Sequence, residues 1–277
     1  MRKNRKTPVS QAFNWTSVIL SVLLATPAHA QIKVLTANYG NARTNANLNE
    51  TVLNPLNVNA AQFGKVFSLP VGGYINAQPL YVPNVAIPGK GTHNAVYVVT
   101  LHNDVYAFDA DTQQSPLWHL NLGPSVPGSD YQVSDLTEIG ILSTPVIDDT
   151  TNTIYVVAHS KESGNYIYRL HALDIATGEE KFDGPTVISA SVASINAGNV
   201  NGQFSFDASQ HLQRPGLLLL NNIVYIAFGS HNDTGAFHGW LMGYNAGNIQ
   251  QQVSASALPD GCSPPIGTTI SVPVGRC

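Results

Sequence analysis

Charge is what this sequence has least of: only 11% of its 277 residues are Asp, Glu, Lys or Arg. Four of the thirteen basic residues, Arg2, Lys3, Arg5 and Lys6, stand ahead of residue 31, and all seventeen acidic ones follow it. From Gln31 onward nine positive side chains therefore face seventeen negative ones. With no basic stripe to pair with phosphates, a nucleic-acid partner is not expected. Long apolar runs are missing too. The stretch 18–25 offers eight residues, and 217–228 is interrupted by Asn221 and Asn222, whereas a spanning helix needs about 20. The chain has two cysteines, Cys262 and Cys277. Neither has a second Cys or a His at ligand spacing, so no zinc or other metal site is expected. The two thiols either form one disulfide, worth roughly 3 kcal/mol in the chain-entropy model, or stay free. Also absent are a G-x-S-x-G elbow, a Walker-type phosphate loop and an H-E-x-x-H pair, which removes the nucleophile, nucleotide and zinc-protease templates they stand for.

What is present is 43% hydrophobic residues, enough for a sizeable core. The first thirty residues combine a basic start, the apolar stretch 18–25 and Ala28-His29-Ala30. This is the pattern of a cleavable export signal, residues 1–30. The expected mature chain begins at Gln31 and lies in the periplasm or outside the cell. With Gln and not Cys at that point, no lipid anchor is expected.

Self-similarity is the strongest signal. Val96-Tyr97-Val98-Val99, Ile154-Tyr155-Val156-Val157 and Val224-Tyr225-Ile226-Ala227 are short β-branched and aromatic runs that read as strands. Each is preceded by a proline (Pro79, Pro145, Pro215) and followed by Asp109, Asp174 or Asn245. The prolines are 66 and 70 positions apart, the tyrosines 58 and 70, and the Asp/Asp/Asn set 65 and 71. Within the second copy, strands are predicted at 144–147, 153–158, 166–174 and 180–188, with Gly178 at a chain reversal. Four antiparallel strands per repeat mean an all-β fold, a partial β-propeller of about three four-stranded blades. The stretch 63–71 reads as an orphan outer strand. The organisation is then an N-terminal extended segment 31–62, blades over 63–253, and an irregular tail 254–277. Open blade edges make self-association or a protein partner the expected use of the exposed sheets.

The repeat resembles the PQQ-type propeller repeat of the quinoprotein alcohol dehydrogenase-like superfamily. There a V-Y-V strand is followed by A-x-D-x-x-T-G and a Trp that docks on the adjacent blade. Ala172, Asp174, Thr177 and Gly178 match in the second copy, which has Phe182 in place of the Trp; the first copy has Trp118 but Thr112-Gln113 for Thr-Gly. The chain is also similar to exported bacterial proteins of this superfamily through Asn41-Ala42-Arg43-Thr44, Glu138-Ile139-Gly140-Ile141, Arg214-Pro215-Gly216-Leu217 and Phe237-His238-Gly239-Trp240. The resemblance implies, for dehydrogenase members, PQQ with Ca²⁺ clamped by a vicinal cysteine pair, which this sequence does not contain. The expectation is accordingly a binding or scaffolding module without a catalytic site or cofactor. A PQQ-dependent dehydrogenase is the alternative.

Candidate ligand residues come from two places. Polar residues near the aligned prolines, Gln78, Glu138 and Arg214, are expected to line the axis. Glu138 and Arg214 would form either a ligand-orienting pair or an inter-blade salt bridge. His231, Asp233 and His238 follow the third-blade strand, as His102 and Asp104 follow that of the first. Such residues bind ligands or move protons, and they are also ordinary hairpin-turn material.

Overall fold

The computed structural model describes residues 32–131, 136–195, 198–231 and 237–257. Residues 1–30, on which the export-signal expectation falls, and Asp233, Cys262 and Cys277 lie outside the described residues. The fold is all-β, a partial propeller of three antiparallel blades. The first blade runs β1 (Leu80–Ile87), β2 (Gly91–Val99), β3 (Asp104–Asp109) and β4 (Trp118–Asn121), hydrogen-bonded in that order. A connection carrying the short pair β5 (Val126–Pro127) and β6 (Glu138–Ile139) leads to the second blade. This consists of β7 (Val146–Asp148), β8 (Thr153–Glu162), β9 (Asn165–Asp174) and β10 (Thr186–Val187). After the hairpin β11 (Ser191–Ala193) and β12 (Gln203–Ser205) comes the third blade. Its inner strand is split into β13 (His211–Leu212) and β14 (Leu218–Leu220), followed by β15 (Ile223–Ser230), β16 (Trp240–Asn245) and β17 (Asn248–Ala257).

The repeated Asp/Asp/Asn marker has a local cause. Asp109, Asp174 and Asn245 each accept, on Oδ1, the backbone N–H two residues on (Asp111, Ala176, Gly247), which fixes the turn after the third strand. The N–H of the residue after each marker (Ala110, Ile175, Ala246) in turn donates to the carbonyl of Asn94, Asn152 or Asn222. The repeated tyrosine has a long-range one. Tyr97 donates its hydroxyl to Ile175 O in the second blade (2.9 Å), and Tyr155 donates to Ala246 O in the third (2.7 Å). Each tyrosine therefore locks its blade to the carbonyl just after the next blade's turn residue. Burial pushes both phenols up, that of Tyr155 to about 12. Ile175 O also accepts the Trp118 indole N–H at 2.9 Å, whereas Ala246 O takes its side-chain hydrogen bond from Tyr155. Tyr155→Phe strands that buried carbonyl and is expected to cost about 2 kcal/mol, against about 1 kcal/mol for Tyr97→Phe. Urea unfolding of the two variants side by side checks the difference; equal losses would refute the locks' unequal backing.

Two sequence expectations need correction. The stretch 63–71 is not a strand. It is extended, and along it Phe67, Leu69 and Val71 are half-buried while Val66, Ser68 and Pro70 are exposed. Leu69 and Val71 pack on Val98, Tyr106 and Phe108. The segment lies on the open face of the first blade and not along a sheet edge, so it joins no ladder, and Pro70 has no N–H to offer one. In the second blade, 180–188 does not form one continuous strand. Glu180 bridges Leu173, and pairing resumes only at Thr186–Val187, because Phe182 and Asp183 sit in left-handed backbone (φ 56° and 55°) and turn the chain away from β9.

Candidate functional site

In the first two blades the turn after the second strand and the connection to the next blade emerge on one side of the sheets, and His102, Asp104 and Glu138 gather there. The connection after β4 is tied down by Asn103, whose Nδ2 donates to Gly123 O and His159 O, by a Ser125–Ser160 bridge, and by Lys161 N–H to Pro124 O. This brings Glu138 to His102, 36 positions earlier: His102 Nδ1 lies 2.7 Å from Glu138 Oε2. Ser125 Oγ donates to the same oxygen at 2.6 Å. The imidazole side chain is 55% exposed, so its Nε2, for which the described residues supply no partner, faces solvent. The hydrogen bond to Glu138 raises the His102 pKa above the usual histidine value.

Asp104, one turn residue on, is buried. Burial pushes its carboxyl up, but hydrogen bonds from Asn121, His119 and Tyr106 outweigh that and hold it below the usual range. Gly72 and Gly73 close over this spot: Gly72 N–H donates to the Tyr106 hydroxyl at 3.1 Å, and a Cβ on Gly73 would stand 2.9 Å from His102 Cβ.

The other candidates sit differently. Glu138 makes no ion pair with Arg214. Glu138 lies on β6 in the connection, while the exposed Arg214 falls in the break between β13 and β14, so the expected salt bridge is replaced by the His102 contact. Gln78 is half-buried and already engaged, its Oε1 accepting Asn38 N–H and its own N–H donating to Thr144 Oγ1. The N-terminal strap crosses the inner strands here. Val34 bridges Tyr81, Leu35 O accepts Ile147 N–H, and the Arg43 guanidinium donates to Thr36, Ala37 and Leu217. The inner edge is thus occupied by the chain itself.

His238 is a core residue and His231 is half-buried. His238 is 3% exposed, set edge-on to Phe204 with its carbonyl accepting from His211 Nε2. His231 stacks on Tyr131 at 3.6 Å. Beside it lies His159, fully buried and stacked on Tyr168 at 3.8 Å. Its Nδ1 is buried without a hydrogen-bond partner among the described residues. Burial lowers His159 to about 3 and His231 to about 4. Sequence reasoning missed His159, His119 and Ser125. The one available signal was that His159 follows Tyr155 by four residues, close to the five by which His102 follows Tyr97.

Among the described residues no group of three or more His, Cys, Asp or Glu side chains is placed to hold a metal ion, and no helix is long and apolar enough to cross a membrane. Compared with protein-family models and with curated proteins, the chain matches none.

A direct check on the pair is the His102 titration. Its NMR midpoint is expected above 6.5 and should fall back toward 6.5 in Glu138→Gln. A midpoint unmoved by that substitution would contradict the assignment.

Proposed function

We propose that this chain is an exported propeller-repeat binding module that recognises a protein partner on the face where its blades are connected, centred on His102 and Glu138. The observation that carries this reading is the 2.7 Å contact between His102 Nδ1 and Glu138, which leaves Nε2 open to solvent. With Nδ1 engaged by Glu138, the outward Nε2 can meet a peptide backbone as a donor when the imidazole is protonated and as an acceptor when it is neutral. Nucleophilic catalysis fits less well. A serine nucleophile must meet the histidine nitrogen remote from the acid, whereas Ser125 and His102 share one carboxylate oxygen.

The PQQ-type resemblance supports the repeat architecture, but the residues present do not fit the quinone and its Ca²⁺. The chain has no adjacent cysteines, and its described carboxylates do not converge on a cation. The export pattern of residues 1–30 supports a partner outside the cytoplasm.

A photo-crosslinker at Tyr74, whose carbonyl takes the Leu101 N–H beside His102, is expected to capture one protein in the producing cell. That capture should be lost with His102→Ala and absent with the crosslinker at Gly89 on the opposite side. Equal capture at both positions would sink the proposal, as would a quinone absorbance that stays with the protein through gel filtration after incubation with PQQ and Ca²⁺.

A further inference from the structure

The hairpin β11–β12 stands outside the four-stranded plan of the blades. Phe204 of β12 is buried against Trp240 of the third blade, their rings 5.7 Å apart, with His238 edge-on at 4.0 Å. β12 is therefore held to the third blade, whereas β9 and β10 belong to the second. A cavity of about 650 Å³ lies between them, within the ~300–1,000 Å³ of small-molecule sites. It shares no residue with the His102–Glu138 face.

Part of the lining is apolar. Tyr166 and Phe206 are half-buried there, and two aliphatic side chains, Val187 from β10 and Val200 from the turn of the hairpin, stand 54% and 71% exposed. The Tyr166 ring is fixed in place: its hydroxyl donates to Asp130 Oδ2 at 2.9 Å, and the Lys161 ammonium lies 5.1 Å from its centre. The remainder is polar and carries one charge. Gln203, Ser205, Asp207 and Gln210 are all exposed, and no Lys or Arg lines the cavity among the described residues. Asp207 holds Ser209 through Oδ1, at 2.8 Å from its backbone nitrogen and 2.7 Å from its hydroxyl. Gln203 accepts the Ser191 hydroxyl on Oε1 at 3.3 Å, which orients its NH₂ group as a donor.

Such a lining discriminates between ligand classes. An anion would meet Asp207 with no cation to offset it. A hydrocarbon surface would strip water from four polar side chains and return no hydrogen bond. A cation would be repelled at Tyr166, whose ring already carries Lys161. A sugar ring suits every part: its C–H faces cover aromatic and aliphatic carbon, and its hydroxyls both donate and accept, as side-chain amides do.

We infer that the cavity between β9–β10 and β12 is a carbohydrate site for a short neutral oligosaccharide, with sugar rings against Phe206 and Val200 and hydroxyls bonded to Gln203, Gln210 and Asp207. The molecule then has a glycan site beside its second blade in addition to the protein-recognition face at His102–Glu138.

The test is a titration of the full chain with three probes, cellotetraose, maltotetraose and chitotetraose, followed through the NMR signals of the Gln203 and Gln210 side-chain amides. At least one probe is expected to shift both amides to saturation by about 10 mM, as a Kd near or below about 1 mM requires. For that probe Gln203→Ala should raise the Kd about tenfold, and Val200→Asp should raise it as well. Both positions are exposed, and the dispersion of the remaining spectrum shows that the variants are folded. Amides unmoved by all three probes overturn the inference. So does binding that both variants leave unchanged, or a cavity that answers to tetramethylammonium in place of the sugars.

Discussion

Gly178→Ala is expected to lower the stability of the protein by about 3 kcal/mol, although it adds a single methyl group. The backbone at this position is left-handed, with φ +77°, and a Cβ would stand 2.8 Å from the Trp118 ring. The indole cannot easily yield. Its N–H is bonded to Ile175 O at 2.9 Å, and the ring packs against the core formed by the first two blades, its centroid 6.0 Å from that of Tyr97. Left-handed backbone costs a non-glycine residue about 1 kcal/mol, and forcing an extra carbon into a packed contact costs about 1–3 kcal/mol more. Gly89 supplies the control. It has a similar φ of +72°, and a methyl group added there would meet no atom within 4 Å, so Gly89→Ala should show the backbone cost alone. Trp118→Ala introduced together with Gly178→Ala should cost less than the sum of the two single changes, since the collision needs both groups. Denaturant midpoints for the set decide, and a Gly178→Ala loss no larger than that of Gly89→Ala would refute the docking argument.

Acidification is expected to weaken the same fold from the other side. His159 is fully buried, and its folded pKa of about 3 lies far below the unfolded value of 6.5. Above pH 6.5 it is neutral in both states and titration costs nothing. Below pH 6.5 the unfolded chain takes up a proton that the folded chain refuses, so stability falls with pH by about 1.4 kcal/mol per unit until the folded pKa is reached. At pH 5 the loss through this one side chain is about 2 kcal/mol. His231, lowered to about 4, acts in the same direction and more weakly, being less buried. His102 has the opposite sign. Its raised pKa contributes stability that is present below 6.5 and disappears as pH rises through the folded value. His159→Phe keeps the stack on Tyr168 and removes the titration. Its unfolding midpoint should change less between pH 7 and pH 5 than that of the unaltered protein, and parallel pH slopes would show that His159 is not the source.

The repeat was legible because its markers each do a job that one residue type does best, the tyrosine between blades and the others within one. Asp and Asn hold the turn through their own Oδ1, glycine takes the left-handed position under Trp118, and β-branched runs fill the second strand. From these the three blades and their order could be read. The orphan strand at 63–71 was misread because alternating side chains look the same whether a segment joins a ladder or lies on a sheet face; only the position of the free edges separates the two cases. The expected Glu138–Arg214 pair failed for a similar reason. Repeat alignment places residues in equivalent slots, but the connection between the first two blades carries Glu138 out of its slot and onto His102.

The sequence by itself determined the blade architecture, the spacing of its turns and the scarcity of charge, because those depend on neighbours a few residues apart. The tertiary structure alone decided which histidine is a surface group and which is core. His102 follows the second strand of the first blade, and His159 lies in the second strand of the next, toward the end of its pairing. One is lifted into water against a carboxylate from a distant connection, and the other is pressed between aromatic rings, so burial and partner, neither of them local, set their opposite chemistry.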